Sequence, residues 1–373
     1  MSFLIALLGV AILYFLQCHL YKSQWLKHLS IQISFEASHA TEGDDLTLTE
    51  TIRNQKLLPL PMMHLKFMAS KFLSFYDKEN SNVSDNFYRD DILSVLMYQQ
   101  ITRTLQFQCT KRGYYTIDQV DVVSSDIFLS CSMAYQLKVH EYLYVYPRLL
   151  EDRRIEIPFK KMLGTVLTKR YYNEDPFEFA GIREYQTYDS MKNVNWKASA
   201  KTGTLKVNVH DYTASQQIHI ILNLESQTLL KYEDLLEFSI QLAATFANAF
   251  IHAGIPTSLT SNGLDIVSKE ATKVATGSGN NHMTKINEAL ARIDTVATPQ
   301  PFLSFFEEAT ANLGKEDYIL LISTYQKEEL QEKLRHMKFE HKDFLWIVPL
   351  NQEIENQIGS DLLDCITIIT TSH

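Results

Sequence analysis

The first 25 residues form the most hydrophobic stretch of the chain. From Phe3 to Leu16 nothing is more polar than Gly9 and Tyr14. These 14 residues are fewer than the roughly 20 that cross a bilayer core, and continuing to Trp25 supplies the missing length. The pattern predicts a transmembrane anchor within residues 1–28, inserted in the lipid bilayer, with Tyr21 and Trp25 in an interfacial aromatic belt.

The charges around this stretch predict its orientation. Lys22 and Lys27 follow it and no basic residue precedes it. By the positive-inside rule, we expect a single-pass protein of the cell membrane with its soluble domains in the cytoplasm. A cleavable signal peptide would begin with basic residues and end in small ones, and neither feature is present. A buried or interfacial helix is the alternative, although the polar face of a surface helix is missing.

Residues 29–150 show the alternation of a β-domain. Leu46, Leu48 and Ile52 alternate with threonines, which is the period of a half-buried strand. Similar short runs follow at Ile101 to Gln108, Tyr114 to Val123 and Tyr142 to Tyr146. Several short strands of this kind predict an Ig-like β-sandwich. The polar, acidic stretch from Asp77 to Asp91 is predicted to be a loop.

Residues 214–373 show strands that alternate with helices. Such alternation predicts a mostly parallel sheet covered on both faces, that is, a Rossmann-like α/β domain. The chain as a whole is therefore predicted to be an α+β multidomain protein, with residues 151–213 connecting the two domains. The predicted strands are Ile218 to Leu224, Tyr318 to Ile322, Phe344 to Val348 and Cys365 to Thr370. The predicted helices are Leu229 to Ala253 and Gln326 to Met337, and Gly277 to Asn281 is predicted to be a surface loop.

Composition excludes some partners and says little about others. A length of 373 residues suits two domains, and a formal net charge of -9 argues against nucleic-acid binding. The four cysteines, at positions 18, 109, 131 and 365, lack the short spacing of zinc or redox motifs. We expect buried free thiols and a reducing compartment, with a Cys109–Cys131 hairpin pair as the alternative.

No catalytic motif is visible. G-x-S-x-G and H-E-x-x-H do not occur, and Cys109 has no identifiable base beside it. Gly277-Ser278-Gly279 lacks the remaining features of a phosphate loop. The chain is therefore predicted not to be an enzyme and to need no cofactor; a hydrolase would require residues that converge only in space.

Four phrases between Glu42 and Asn223 stand in an order that is found in one family. They are Lys111-Arg112-Gly113-Tyr114, Asp126-x-Phe128, Val145-Tyr146-Pro147-Arg148 and the block Gly181-Ile182-Arg183-Glu184-Tyr185, Asp189 and Asn195-Trp196-Lys197-Ala198-Ser199-Ala200. This order resembles the membrane proteins of domain of unknown function 58, with their R-G-x-Y, D-P-F, V-Y-P, G-x-R-E-Y, G-D and N/D-W-K-x-S-A elements. One departure is Tyr188-Asp189, where the family usually has Gly-Asp.

The resemblance implies that residues 214–373 form a von Willebrand factor A-like domain. Such domains often carry D-x-S-x-S after the first strand, and those oxygens suit a divalent cation. Here the corresponding residues are Asn223, Glu225 and Gln227, with neither serine hydroxyl in register. We therefore predict a degenerate metal-ion-dependent adhesion site that binds no metal.

The densest block is the predicted binding surface. Its candidate residues are Arg183, Glu184, Tyr185, Asp189, Asn195, Trp196 and Lys197. We expect Arg183 to pair with the carboxylate of Asp189 or Glu184. In the structural alternative, Trp196 fills a core and the polar residues satisfy buried backbone at the domain junction.

These observations favour a membrane-anchored, non-enzymatic scaffold for protein–protein interaction. By the resemblance, the expected partner is an AAA+ ATPase of the MoxR type. The alternative is a ligand receptor that depends on a divalent metal, and a hydrolase is the third hypothesis.

Overall fold

The structure is a computed structural model that describes residues 2–77, 81–84, 86–172, 174–186, 191–212, 216–226, 232–314, 316–351 and 357–371. The chain divides into two units, Met1–Arg148 and Leu149–His373. The first unit contains the N-terminal helix and the β-domain. The second contains the α/β domain together with residues 151–213.

Helix α1, Ser2–Gln24, begins the first unit. In the part of the chain that the structure describes, it is the one helix long and apolar enough to cross a membrane. Its large side chains between Phe3 and Leu16 are exposed, with Phe3 at 77% and Phe15 at 70%. No other described element of the unit covers this stretch, so an apolar helix segment about 21 Å long stands free of the fold.

The last third of α1 belongs to the folded domain. Cys18, Tyr21 and Trp25 are buried, and the two aromatic rings join the core of the β-domain. The hydroxyl of Tyr21 donates to the backbone oxygen of Pro59 at 3.0 Å. The predicted aromatic belt is therefore wrong. Residues 18, 21 and 25 lie on one helix face, and a helical apolar face suits a protein core as well as a bilayer interface.

A disulfide joins Cys18 to Cys131, with the two Cα atoms 6.4 Å apart. This corrects the prediction of free thiols at both positions, and it replaces the Cys109–Cys131 alternative. Cys109 is free and buried, as predicted, and Cys365 is also free. The pair is 113 residues apart in sequence, so no local spacing could indicate it. Disulfides persist mainly in oxidising compartments, which weighs against the predicted reducing one.

In the described part of the first unit, ten strands form two facing sheets. One sheet has the order β1-β3-β8-β5 and the other β2-β10-β9-β4-β7-β6. All neighbours are antiparallel except β2 and β10. The predicted sandwich is thus present. The strands are β1 Leu29–Phe35, β2 His39–Thr41, β3 Asp45–Asn54, β4 Leu60–Ser70, β5 Leu73–Phe75, β6 Ser81–Val83, β7 Asn86–Val95, β8 Gln100–Cys109, β9 Gly113–Ser125 and β10 Ser132–Tyr146.

Strand β7 lies where the sequence predicted a loop. Its inward positions include Arg89 and Asp91, both fully buried. Arg89 Nε donates to Asp91 Oδ2 at 2.5 Å, and Arg89 Nη2 donates to Asp77 Oδ2 at 2.8 Å. Ion pairing lets charged residues take core positions. The charges therefore hid the alternation that marks a strand.

The second unit begins with helix α2, Arg153–Tyr172, and a two-stranded ribbon that holds a short helix. A larger sheet follows, with the order β15-β14-β13-β17-β18-β19 and with β16 paired to β14. The ribbon consists of β11 Glu174–Glu184, α3 Trp196–Thr202 and β12 Lys206–Tyr212. The remaining elements are β13 Ile218–Leu222, α4 Glu233–His252, β14 Thr257–Asp265, β15 Ala271–Gly277, α5 Asn280–Ala291, β16 Ile293–Asp294, α6 Phe302–Ala311, β17 Tyr318–Ile322, α7 Glu328–Phe339, β18 Asp343–Leu350 and β19 Ile366–Thr370.

Strands β14, β13, β17, β18 and β19 are parallel, while β15 and β16 run antiparallel to β14. Every residue of β17 is buried, as expected of a strand covered on both faces. Helix α4 packs on the sheet through small and aromatic side chains such as Ala243, Ala247 and Phe250. The predicted alternation of strands and helices is present. The sequence did not predict β14, β15, β16, α5 or α6. The predicted surface loop Gly277 to Asn281 instead ends β15 and leads directly into α5.

Candidate functional site

The predicted binding surface lies on the ribbon of the second unit. Strands β11 and β12 pair antiparallel, and α3 connects back to β12. Val194 and Val207 form an isolated bridge and are both buried. The backbone N–H of Tyr185 donates to Leu205 O at 2.9 Å and continues the ladder. The ribbon therefore has its own backbone frame.

Asn195 is the structural centre of this block. Its Oδ1 accepts a hydrogen bond from Ala198 N at 2.9 Å and so caps α3. Its Nδ2 donates to Asn208 Oδ1 on β12 at 2.7 Å. Its backbone N–H donates to Lys206 O at 2.8 Å. One asparagine thus joins the helix to the strand, as the structural alternative expected of the polar residues.

Ser199 supports the same junction. Its hydroxyl donates to Asn195 O at 2.8 Å and accepts from Lys206 N at 2.8 Å. Gly203 ends the helix in the left-handed region, at a φ of 71°, with its N–H donating to Ser199 O. The family-like phrase Asn195 to Ala200 therefore specifies a capped helix with a defined end.

Trp196 and Lys197 point away from this frame. Trp196 is 63% exposed and Lys197 is exposed. The prediction that Trp196 fills a core is therefore wrong within this chain. Both side chains lie in the first turn of α3, where the cap holds the backbone but leaves the side chains outside. An exposed tryptophan on a rigid turn is typical of a contact surface.

Arg183 contacts Glu184, one of its two predicted partners, but through the backbone oxygen of Glu184 rather than through its carboxylate. Arg183 Nη1 donates to the backbone oxygen of Glu184 at 3.1 Å. The Glu184 carboxylate accepts from Lys206 Nζ at 3.1 Å across the ribbon. The other predicted partner, Asp189, lies outside the described residues. Arg183 and Glu184 are both exposed on the same ribbon as Trp196.

The carboxyl ends of the parallel strands are the usual ligand-binding edge of such a sheet. Here that edge is closed by amide side chains. Asn223 is 1% exposed, its Nδ2 donates to Ser323 Oγ at 2.9 Å, and its Oδ1 accepts from Asn262 Nδ2 at 2.9 Å. Asn262 Oδ1 accepts from Leu224 N at 2.8 Å. The network satisfies its own polar groups and links the ends of β13, β14 and β17.

Glu225 also makes a hydrogen bond within the fold. Its Oε2 accepts from Phe302 N at 2.6 Å, at the N-terminus of α6, where the helix dipole favours a carboxylate. Asn223 Oδ1 additionally accepts from Glu225 N at 2.8 Å. Gln227 lies outside the described residues. Among the residues that the structure describes, no group of three His, Cys, Asp or Glu side chains could hold a metal ion.

One cleft was missed by the sequence analysis. It has a volume of about 710 Å³ and lies along β15 and α5. Its charged lining includes Asp265, which accepts from Arg292 Nε at 2.8 Å, and Lys273, which donates to Glu308 at 2.7 Å. These residues come from separate elements and belong to no motif. No pattern in the sequence could therefore have predicted the cleft.

Comparison with protein families gives no match to this chain, and comparison with curated proteins gives none either. Among solved structures, a non-cellulosomal cohesin from Archaeoglobus fulgidus is 14% identical and covers 31% of this chain and 91% of its own, with a TM-score of 0.22. A type I cohesin–dockerin complex from Clostridium thermocellum gives 13% identity, 31% and 99% coverage, and a TM-score of 0.21. A PapD-like domain of human CEP192 is 14% identical and covers 32% of this chain and 84% of its own, with a TM-score of 0.21.

Proposed function

We propose that this chain is a membrane-anchored, non-enzymatic scaffold that presents a protein-binding surface on its second unit. The observation that carries the proposal is Trp196, held exposed on a helix turn whose backbone is fixed by Asn195. Such a residue contributes no core packing to its own fold. Large rigid aromatic side chains of this kind dominate binding energies at protein interfaces.

The anchor is the second part of the proposal. The exposed stretch Phe3–Leu16 has the composition of a lipid-facing helix, and the far end of α1 is built into the sandwich. Since Cys18, Tyr21 and Trp25 complete the sandwich core, removal of the whole helix as a signal peptide would open that core. This argues for a retained anchor.

The second unit is proposed to be a von Willebrand factor A-like domain without its metal site. The parallel sheet and its covering helices suit this assignment. The amide of Asn223 uses both its polar atoms within the fold, and Glu225 caps α6. No observation therefore favours the metal-dependent receptor over the scaffold, and none favours the hydrolase.

The proposed partner is an AAA+ ATPase of the MoxR type, on the strength of the family resemblance. The test is copurification of the full-length, detergent-solubilised chain with that ATPase, with and without nucleotide. Trp196→Ala is expected to abolish the association while the unfolding temperature stays unchanged. Phe339→Ala is the matched control, because Phe339 is also an exposed aromatic residue of the second unit, at 84%.

Two results would contradict this partnership. The first is an absence of copurification with the wild-type chain; equal loss of binding in both variants would remove only the role of Trp196. The second is the redox state of the Cys18–Cys131 pair in cells. Such an ATPase is cytoplasmic, whereas the disulfide suits an oxidising compartment. Lys22 and Lys27 favour the cytoplasm. Thiol alkylation in cells, before and after reduction, measures the redox state of this pair in the cell, and a pair that is fully oxidised there would contradict the ATPase partnership.

A further inference from the structure

Strand order brings one set of sandwich loops to the end from which α1 leaves. β1 begins at Leu29, which pairs with Asn54 at the end of β3. Met62, near the start of β4, pairs with Ser125 at the end of β9. By the same registers, β7 ends and β8 and β10 begin at this end. Three loops therefore surround the end of the helix: 55–59, 96–99 and 126–131.

Each of these three loops exposes large apolar side chains. Leu57 is 70% exposed, Tyr98 is 67% exposed and Phe128 is 67% exposed. The full set is Leu57, Leu96, Met97, Tyr98, Ile127, Phe128 and Leu129. Turns at the opposite end of the sandwich carry polar residues instead, such as Glu42-Gly43-Asp44 and Thr110-Lys111. The apolar residues are thus concentrated at the helix end.

The loops are held rigidly, so their apolar side chains stay outside. Asp126 is buried and accepts hydrogen bonds from Ser130 N, Ser130 Oγ and Cys131 N at 2.7 to 2.9 Å. Burial acts to raise the pKa of Asp126, but these bonds and one from Gln17 outweigh it and lower the pKa to about 2. Asn54 Nδ2 donates to both Leu58 O and Leu96 O at 2.9 Å, which joins the other two loops.

The helix passes directly beside these loops. Gln17 Nε2 donates to Asp126 Oδ2 at 2.9 Å, Cys18 is bonded to Cys131, and Lys56 Nζ donates to Trp25 O at 2.6 Å. The free apolar part of α1 therefore ends at Leu16, level with the 126–131 loop. Fourteen helical residues span about 21 Å, whereas a bilayer core is ~30 Å thick. The shortfall of about 9 Å is met if the loop end of the sandwich reaches past the headgroups into the edge of the acyl-chain region.

We propose that loops 55–59, 96–99 and 126–131 form a membrane-contact surface that enters the same bilayer as α1. The occupant is lipid because the surface is continuous with the lipid-facing helix, and Lys22 and Lys27 supply positive charge at the level of the headgroups. This inference rests on the proposed membrane anchoring. Contact by several apolar loops would hold the sandwich at a fixed depth and orientation.

The test uses the full chain in liposomes that contain lipids brominated near the top of the acyl chain. Bromine quenches tryptophan only at contact, and the wild-type emission is subtracted. Phe128→Trp and Leu57→Trp are expected to lose much of their added emission. Val83→Trp is the matched control: Val83 is 55% exposed in β6, at the opposite end of the sandwich, and its added emission is expected to remain.

Phe15→Trp, within the free part of α1, separates the two possible failures. Quenching at position 15 without quenching at 57 or 128 keeps the anchor and overturns the membrane-contact surface. Absence of quenching at position 15 overturns the anchor itself. Emission at 128 that shifts with protein concentration, without bromine quenching, would assign the surface to a second copy of the chain and also overturn the proposal. Two loop positions guard against a variant that fails to fold.

Discussion

Glu50 is a carboxylic acid in the core of the sandwich. It is 1% exposed, and neither of its carboxyl oxygens has a hydrogen-bond partner in the described part of the chain. Burial, followed by the nearby Asp91 charge, raises its pKa from 4.5 to about 7, against the opposing effect of Arg103 and Arg89. The folded state therefore holds this proton more tightly than the unfolded chain does.

This difference predicts a stability that falls with pH. The contribution of the protonated carboxyl is complete below pH 4.5 and is lost as the pH rises through about 7. It corresponds to about 3 kcal/mol. Glu50→Gln is expected to remove this dependence and raise the unfolding temperature of the sandwich at pH 8, measured by thermal denaturation at pH 5, 7 and 8.

Glu36→Gln is the control, since Glu36 is exposed and follows β1 directly. Its pH dependence is expected to match that of the wild type. An unchanged slope in Glu50→Gln would show that the acid titrates normally in the folded chain.

At the scale of single elements, α3 depends on one cap. Asn195→Ala removes the acceptor for Ala198 N and the donor to Asn208, and loss of such a cap costs about 1 kcal/mol. Faster amide hydrogen exchange is expected at Ala198, Ser199 and Lys206. Asn195→Asp keeps the acceptor and is expected to retain most of the protection of Ala198. Equal protection in the wild type and the alanine variant would mean that α3 does not need this cap.

Element by element, the sequence predicted only part of each unit. In the second unit it missed β14, because polar residues such as Ser261 and Asn262 take buried positions in that strand. Continuous apolar runs such as Tyr318 to Ile322 fix buried parallel strands to within a residue or two. In the first unit, the Arg89–Asp91 pair broke the alternation of β7, and the buried face of α1 had the same composition as a membrane span. The exposure of Trp196 depends on how the ribbon folds. The amino-acid composition of this block therefore could not predict that Trp196 is exposed.

At the scale of the whole first unit, the disulfide predicts a measurable stabilisation. Replacing both Cys18 and Cys131 by serine frees a long loop in the unfolded chain, and such losses typically cost 2–4 kcal/mol. The unfolding temperature of the sandwich is expected to fall in the detergent-solubilised double-serine variant. Reductant is expected to lower it in the wild type and in Cys365→Ser but not in the double-serine variant. Cys365→Ser, which touches no disulfide, is the control. Identical unfolding temperatures in all three chains would show that Cys18 and Cys131 do not form a disulfide.

The disulfide also determines how a pulling force travels. β10 leads from Cys131 towards the second unit, and Cys18 lies on the helix. The shortest covalent route between the second unit and α1 therefore bypasses the residues between the two cysteines, which are 113 positions apart. Tension applied to the second unit would reach α1 through β10 and one sulfur–sulfur bond. With the bond closed, most of the sandwich bears no load along its backbone. After reduction, unfolding of the sandwich under load would make roughly 400 Å of chain available for extension, so the tether would change from stiff to compliant.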